Sequence, residues 1–173
     1  MQFIECNHAE HADAILAIFN DAIMNSTALY DYQPRKLESM IEWFDIKKSN
    51  KFPVIGAIDE EGNLLGFASY ASFRPHPAYK YTVEHSVYIN QHYRGNGLGR
   101  TLLEKLIVIA QEQQYHTMIG AIDMQNKGSI HLHERLGFTH SGTIEHAAFK
   151  FGNWLDLGFY QLLLPTPLKP VDG

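Results

Sequence analysis

The feature that most constrains this chain is a glycine-rich turn between an apolar strand and an amphipathic helix. The apolar run Val87-Tyr88-Ile89 leads into a turn in which Gly95, Gly97 and Gly99 fall within five residues. Glycine lets the backbone pass close to a ligand. A helix that starts here presents unpaired N–H groups and the positive end of its dipole. The turn is therefore predicted to bind a phosphate group.

Length and composition favour one folded domain. The chain has 173 residues, a formal charge of −5 and one cysteine, Cys6. We predict a single domain over residues 1–173, with 165–173 as an irregular, proline-rich tail. The negative charge argues against nucleic-acid binding, and the chain contains no apolar run long enough to span a membrane. A lone cysteine predicts a buried thiol and a cytoplasmic location.

Hydrophobic periodicity predicts elements in the order β-α-α-β-β-β-α-β-α-β-β. The opening strands follow one another through hairpins, so that half of the sheet is predicted to be antiparallel. The strand–helix–strand segment over residues 82–122 requires a parallel crossover. The fold class is therefore α/β, with a mixed sheet of about seven strands and about four helices. Residues 74–77 contain two prolines and are predicted to be irregular.

Alternation along the strand before the glycine turn assigns its side chains to two faces. Glu84, Ser86 and Tyr88 share one face. The other face carries Val83, His85, Val87 and Ile89. His85 is expected to be a satisfied core histidine or to lie on the cofactor side.

Several kinds of phosphate site compete for the turn. A Walker P-loop needs glycine at position 94 and lysine at position 100, and both are arginine here. A dinucleotide site would place its third glycine at Arg100, which makes it a weaker match. A tight turn without a ligand stays open. The pyrophosphate loop of acetyl-CoA has the pattern [Q/R]-x-x-G-x-[G/A], which the sequence from Arg94 to Gly99 matches.

At these residues the chain resembles the GNAT superfamily of N-acetyltransferases. The resemblance includes Asn126-x-x-Ser129 and the segment from His133 to Gly137-Phe138. Residues 73–79 and 82–89, with Lys150-x-Gly152-x-Trp154-Leu155-Asp156, are similar to the phosphinothricin and methionine-sulfoximine N-acetyltransferases. That branch implies acetylation of the α-amine of small amino-acid analogues, an activity associated with herbicide resistance.

The resemblance implies acetyl-CoA as co-substrate and a direct transfer within a ternary complex. The turn would bind the diphosphate, and the strand before it would pair with the pantetheine arm. The residues expected to contact the cofactor are Val87, Tyr88, Ile89, Arg94, Gly95, Asn96, Gly97, Leu98, Gly99, Arg100, Asn126 and Ser129.

Two residues are predicted to be catalytic. Glu84 would accept the amine proton, directly or through water. His133 stands where the superfamily often has a tyrosine, and it would protonate the departing thiolate or only hydrogen-bond the cofactor. Tyr88 and Tyr160 are alternative proton donors.

The substrate is expected to contact Arg74, Pro77, Tyr79 and Glu84. A guanidinium in a proline-stiffened loop suits a substrate carboxylate. The loop Tyr30-Asp31-Tyr32 is a further candidate wall of this pocket.

The resemblance also implies a homodimer, and the histidine spacing predicts no metal site. Two other functions remain open: acetylation of protein or peptide N-termini, and a non-catalytic acyl-CoA-binding regulator.

Overall fold

The computed structural model describes residues 1–172. Its helices are α1 (His8–Asn25), α2 (Glu38–Ser49), α3 (Leu98–Glu112) and α4 (Lys127–Arg135). Its strands are β1 (Gln2–Glu5), β2 (Val54–Ile58), β3 (Leu64–Ser72), β4 (Thr82–Ile89), β5 (Thr117–Asp123), β6 (Thr139–Lys150) and β7 (Asn153–Leu163). The strands form one mixed sheet in the spatial order β1-β2-β3-β4-β5-β7-β6. Within residues 1–172, none of the helices is both long and apolar enough to cross a bilayer.

The predicted element order and fold class are confirmed, including the parallel pairing of β4 with β5. One local prediction was wrong in part. Pro77 is not irregular but begins a short 3₁₀ helix, Pro77–Tyr79. Proline fits the first position of a helical turn because its fixed φ is already suitable and no N–H is needed there. A second 3₁₀ helix, Gln91–Tyr93, which the sequence did not predict, follows β4.

Contacts divide the chain into two compact units. The first comprises residues 1–70 and 86–106, and the second comprises residues 71–85 and 107–172. In the first unit β1 pairs antiparallel with β2, and β2 pairs antiparallel with β3. Cys6 is buried there, and burial raises the pKa of its thiol to about 12. This agrees with the predicted core thiol, because the reactive thiolate is suppressed.

Aromatic rings form the centre of the first unit. Phe67 on β3 is fully buried, and its ring contacts those of Phe19, Trp43 and Tyr88 at centroid separations of 5.1, 6.2 and 5.5 Å. Phe19 and Trp43 meet Phe67 edge to face, whereas Tyr88 is tilted by 38° to it. Aromatic contacts of this kind add to the free energy of apolar burial. The cluster therefore anchors Tyr88 of β4, and with it the strand that leads to the glycine turn.

A buried lysine lies in the same unit. Lys47 on α2 is only 9% exposed, and its ammonium donates a 2.7 Å hydrogen bond to the carbonyl of Tyr70. The ammonium also lies 5.3 Å from the Trp43 ring centroid and 5.8 Å from that of Phe52. Burial lowers the pKa of Lys47 to about 8. The charged form is therefore less favourable in the folded state than in the unfolded state.

This burial predicts a specific dependence of stability on pH. Between pH about 8 and about 10.5 the unfolded chain keeps the Lys47 proton and the folded chain releases it. Stability therefore rises with pH across this window. The unfolding free energy of the wild type, relative to Lys47→Met, should increase by up to about 3 kcal/mol.

Urea unfolding of both proteins at about pH 7 and about pH 10 measures this difference. Lys48→Met, which replaces an exposed lysine of the same helix, is the matched control. If the unfolding free energy of the wild type, relative to that of Lys47→Met, falls as pH rises, the lowered pKa assigned to Lys47 is wrong.

The second unit is built on four paired strands. Thr82, Val83 and Glu84 of β4 pair with residues 117–119 of β5 in the parallel ladder. β5 then pairs antiparallel with β7, and β7 with β6. The predicted left-handed cap after α4 is present, because Gly137 has a φ of +88°.

Candidate active site

The glycine turn lies in the first unit, between β4 and α3. Gly95 and Gly97 have φ values of +83° and +77°. A Cβ at either position would meet nothing within 4 Å, so glycine is required by the backbone conformation and not by lack of space. The helical hydrogen bonding of α3 begins where the Thr101 N–H donates to the Gly97 carbonyl, at 3.2 Å. The turn therefore leads directly into a helix N-terminus, as expected for an anion site.

Both arginines of the turn are paired with acids. Arg94 donates to the Asp21 carboxylate at 2.8 Å and to the Ile89 carbonyl at 3.1 Å. Arg100 donates to Glu104 one helical turn away, also at 2.8 Å. The Arg100–Glu104 pair is about half-exposed, and the Arg94–Asp21 pair is exposed on its arginine side. Ion pairs that water reaches contribute only about 0–1 kcal/mol. Both guanidinium groups can therefore exchange their partners for a phosphate at small cost.

Glu84 lies in the second unit, at the last pair of the parallel ladder, opposite Ile119. Burial raises the pKa of its carboxyl, and the positive charge of Arg74 opposes that shift. A half-buried carboxylate with a raised pKa is suited to accept a proton near neutral pH.

In the loop before β4, the side chain of Arg74 packs on an aromatic ring. Its guanidinium lies 4.2 Å above the Phe73 ring centroid and donates to the Phe73 carbonyl at 2.9 Å. The Phe73 ring also contacts Tyr79 and Phe159, at 5.9 and 6.4 Å. The structure therefore brings the predicted substrate residues Arg74 and Tyr79 to one aromatic cluster, with Pro77 starting the 3₁₀ turn between them.

Asn126 and Ser129 stand at the start of α4. Asn126 is its N-cap, and its side-chain oxygen accepts a 3.1 Å hydrogen bond from the Ser129 N–H. The cap satisfies a helix N–H group that would otherwise lack a partner. Any contact of Asn126 with a cofactor would therefore be additional to this structural role.

His133 of α4 is buried against His85 of β4, at 4% and 8% exposure. Their rings stack at a centroid separation of 4.9 Å, and their Nε2 atoms lie 2.9 Å apart. The other ring nitrogen of His133 lies 2.6 Å from the Ser129 carbonyl oxygen. Both nitrogens of His133 thus contact atoms of the protein itself.

Burial lowers the pKa of both histidines. For His85 it falls to about 3, with the nearby His133 as a second cause. For His133 the direction is also downward, and the hydrogen bond to Ser129 opposes it. The expectation of a satisfied His85 was therefore correct for Nε2 only, because Nδ1 has no hydrogen-bond partner within residues 1–172.

Gly120 of β5 makes room for the two imidazoles. A Cβ at this position would lie 2.9 Å from Nε2 of His85 and 3.0 Å from Nε2 of His133. Sequence reasoning missed Gly120, since nothing local distinguishes it from an ordinary strand glycine.

Gly120→Ala should therefore destabilise the fold by about 1–3 kcal/mol, because the methyl group forces the rings apart. Urea unfolding measures the effect. Gly142→Ala is the control, since a Cβ at Gly142 meets nothing within 4 Å. Equal stability of the two variants would show that the histidine pair tolerates the extra carbon.

The two alternative proton donors and the predicted pocket-wall loop make the following contacts. Tyr88 packs on Phe19 and Phe67 in the first unit. Tyr160 is 3% exposed, and burial raises the pKa of its phenol. In the predicted pocket-wall loop, Asp31 accepts a 2.8 Å hydrogen bond from Arg35.

Comparison with known proteins identifies the family to which the chain belongs. The model of the acetyltransferase (GNAT) family matches residues 16–138, and the chain belongs to this family. It is 46% identical over 157 residues to an L-methionine sulfoximine/L-methionine sulfone acetyltransferase of Pseudomonas aeruginosa, covering 90% of this chain and 91% of that protein.

Solved structures agree with the family assignment. A putative acetyltransferase from Acinetobacter baylyi has a TM-score of 0.98 and 60% identity, covering 99% of this chain and 97% of that one. A GNAT phosphinothricin acetyltransferase from Sinorhizobium meliloti, in complex with acetyl-CoA, has a TM-score of 0.93 and 32% identity, with coverages of 99% and 94%. The chain is thus an N-acetyltransferase of a family that uses acetyl-CoA.

Proposed function

We propose that this chain transfers the acetyl group of acetyl-CoA to the α-amine of a small amino-acid analogue. Methionine sulfoximine, methionine sulfone and phosphinothricin are the proposed substrates. One observation carries the proposal: within one unit, the positive charge of Arg74 acts on the half-buried carboxyl of Glu84 and opposes the rise of its pKa. An amino acid offers an ammonium and a carboxylate, which are the matching charges.

The proposed cofactor site starts from the glycine turn. Backbone N–H groups of residues 95–100 would hold the diphosphate, with charge from Arg94 and Arg100. Val87, Tyr88 and Ile89 would pair with the pantetheine amides. Asn126 and Ser129 are proposed as further contacts.

In the proposed reaction Glu84 accepts a proton from the substrate ammonium, directly or through water. The free amine then attacks the thioester carbonyl, and the C–S bond breaks with its electron pair on the sulfur of the coenzyme. A proton donor at the His133 position would protonate this thiolate, and the second proton lost by the attacking nitrogen would restore the donor.

The role of Arg74 has a measurable consequence. Arg74→Met should raise KM for the amino-acid substrate roughly 10- to 100-fold, because a charge-assisted hydrogen bond contributes about 1.5–3 kcal/mol. KM for acetyl-CoA should stay within about threefold of the wild-type value. Steady-state kinetics following thiol release measures both constants. Lys80→Met replaces a neighbouring exposed cation and serves as the control. An unchanged amino-acid KM would remove Arg74 from the site.

The function itself is tested with a panel of acceptors. The purified protein is given acetyl-CoA with the three analogues, with free amino acids and with short peptides, and thiol release is followed. We expect the analogues to give the highest kcat/KM. Preference for peptides would favour the N-terminal acetyltransferase. Release with no amine, together with retained acetyl-CoA binding, would favour a regulator.

We also propose that the protein is a cytoplasmic homodimer. Support for the dimer comes from exposed aromatic side chains near the β6–β7 turn: Phe149, Phe151 and Trp154 are 45%, 56% and 60% exposed. Exposed apolar groups close together often mark a protein interface. Light scattering of the purified protein tests the dimer, and a monomer mass at all concentrations would exclude it. Activity on phosphinothricin would confer herbicide resistance.

A further inference from the structure

The sheet of the second unit has one buried face and one face that solvent reaches. On β5, Met118 and Gly120 are buried, whereas Ile119 is half-buried and Ala121 is exposed. Glu84 of β4 is half-buried and lies on the same side as Ile119, because the two residues are paired. The side of the sheet that carries Glu84, Ile119 and Ala121 is called the open face below.

Strand register places Gln161 of β7 on the open face. Gln161 pairs with Ile119, and Ile119 pairs with Glu84, so the three residues stand side by side across three strands. Directly paired residues point to the same side of a sheet. Neighbouring strands are about 4.8 Å apart, which puts the Cα atoms of Glu84 and Gln161 about 10 Å from each other. Gln161 is half-buried, so its side chain remains accessible to a small molecule.

The loop before β4 reaches the open face through an aromatic contact. Phe159 of β7 pairs with Ala121 and therefore lies on this face. Its ring contacts that of Phe73 at a centroid separation of 6.4 Å, and the Arg74 guanidinium lies 4.2 Å above the Phe73 ring. The two proposed substrate contacts Arg74 and Glu84 therefore border one face of one unit.

A β-bulge in β6 holds one end of the Gln161 side chain. The strand pairing skips Ser141, which is an extra residue between the partners of Tyr160 and Phe159. Bulges of this kind change the direction of a side chain. The Ser141 hydroxyl donates a 2.8 Å hydrogen bond to the amide oxygen of Gln161. Within residues 1–172 the amide nitrogen of Gln161 has no hydrogen-bond partner, so an oriented donor is available on the open face.

The proposed substrates share an acceptor that matches this donor. Methionine sulfone, methionine sulfoximine and phosphinothricin each carry a tetrahedral sulfur or phosphorus at the δ position, with oxygen bound to it. Methionine has a thioether sulfur at that position, which accepts hydrogen bonds only weakly. A neutral amide N–H group can donate both to the uncharged sulfone and to the anionic phosphinate. The δ-oxygen therefore distinguishes the analogues from the ordinary amino acid.

We propose that Gln161 determines specificity in the amino-acid site, because its amide N–H donates to the δ-oxygen of the substrate. Ser141 is its positioning residue. A substrate that lies over Ile119 meets Glu84 with its α-amine and Gln161 with its δ-oxygen. This inference rests on the proposed acetyl transfer and specifies which part of the substrate the open face recognises.

Gln161→Leu keeps the approximate size of the side chain and removes the donor. We expect kcat/KM for methionine sulfone to fall roughly 10-fold, because one hydrogen bond is lost, whereas kcat/KM for methionine stays within about twofold. Gln111→Leu, which replaces a half-buried glutamine of α3, is the matched control and should change neither constant. An equal loss for both acceptors would indicate a structural role and overturn the proposal.

Two further variants test the charge and the positioning. Gln161→Glu, assayed at about pH 8 where the new carboxylate is ionised, should lower kcat/KM for the anionic phosphinothricin more than for the neutral methionine sulfone. An equal or larger loss for methionine sulfone would place another group against the δ-oxygen. Ser141→Ala leaves the amide in place, so kcat/KM for methionine sulfone should fall only about threefold. A loss larger than that of Gln161→Leu would contradict a positioning role.

The contact can also be observed in the wild-type protein without turnover, and this decides the question even if a variant fails to fold. With unacetylated coenzyme A bound, the ¹⁵N resonance of the Gln161 side-chain amide should shift on titration with methionine sulfone, and much less with methionine. Binding of methionine sulfone that leaves this resonance unmoved would overturn the inference and leave the proposed function intact. If none of the analogues binds or is acetylated, the proposed function fails and this inference fails with it.

Discussion

Glu84→Gln should lower kcat for amino-acid acetylation by roughly 10²- to 10⁴-fold, the usual contribution of a general base. Glutamine keeps the size and hydrogen-bonding shape of the side chain but cannot accept the proton. Acetyl-CoA binding, measured by calorimetry, should be unchanged. Because burial raises the pKa of Glu84, wild-type kcat/KM should rise with pH through this raised value. That limb of the profile should be absent in the variant.

The control is Glu145→Gln, which replaces an exposed strand glutamate on β6. A second measurement checks folding. An ionised Glu84 is disfavoured by burial, so Glu84→Gln should be no less stable than the wild type at neutral pH. Turnover within about threefold of the wild type would exclude Glu84 as the base.

Phe67→Ala should destabilise the protein by about 3–5 kcal/mol, a large part of the stability of a typical domain. Phe67 is 0% exposed, and its removal leaves a cavity among Phe19, Trp43 and Tyr88. Those rings cannot close the gap without losing their edge-to-face contacts. Urea unfolding followed by tryptophan fluorescence measures the loss.

Leu168→Ala is the control for this change, because Leu168 is 88% exposed. Its effect should stay within about 0.5 kcal/mol. Tyr88 packs against Phe67 and belongs to the strand proposed to bind acetyl-CoA. Phe67→Ala should therefore also raise KM for acetyl-CoA more than KM for the amino acid. A loss of stability below about 1 kcal/mol would mean that the cluster repacks.

Local patterns were sufficient to predict the elements and their order. Alternation assigned the faces of β4, and the glycine spacing located the turn before α3, because both depend on backbone geometry within a few residues. The 3₁₀ helices at Pro77–Tyr79 and Gln91–Tyr93 escaped prediction. Such short turns carry no hydrophobic period long enough to recognise.

The sequence by itself determined the order of helices and strands, the position of the turn that contains Gly95 and Gly97, and the identity of the chemical groups available to a site. Only the tertiary structure decided which of those groups meet. His85 and His133 are 48 residues apart, and Arg94 and Asp21 are 73 apart. Such pairs depend on strand register and helix placement over the whole chain. The hydrophobic periodicity of a sequence, in contrast, relates only residues that are a few positions apart.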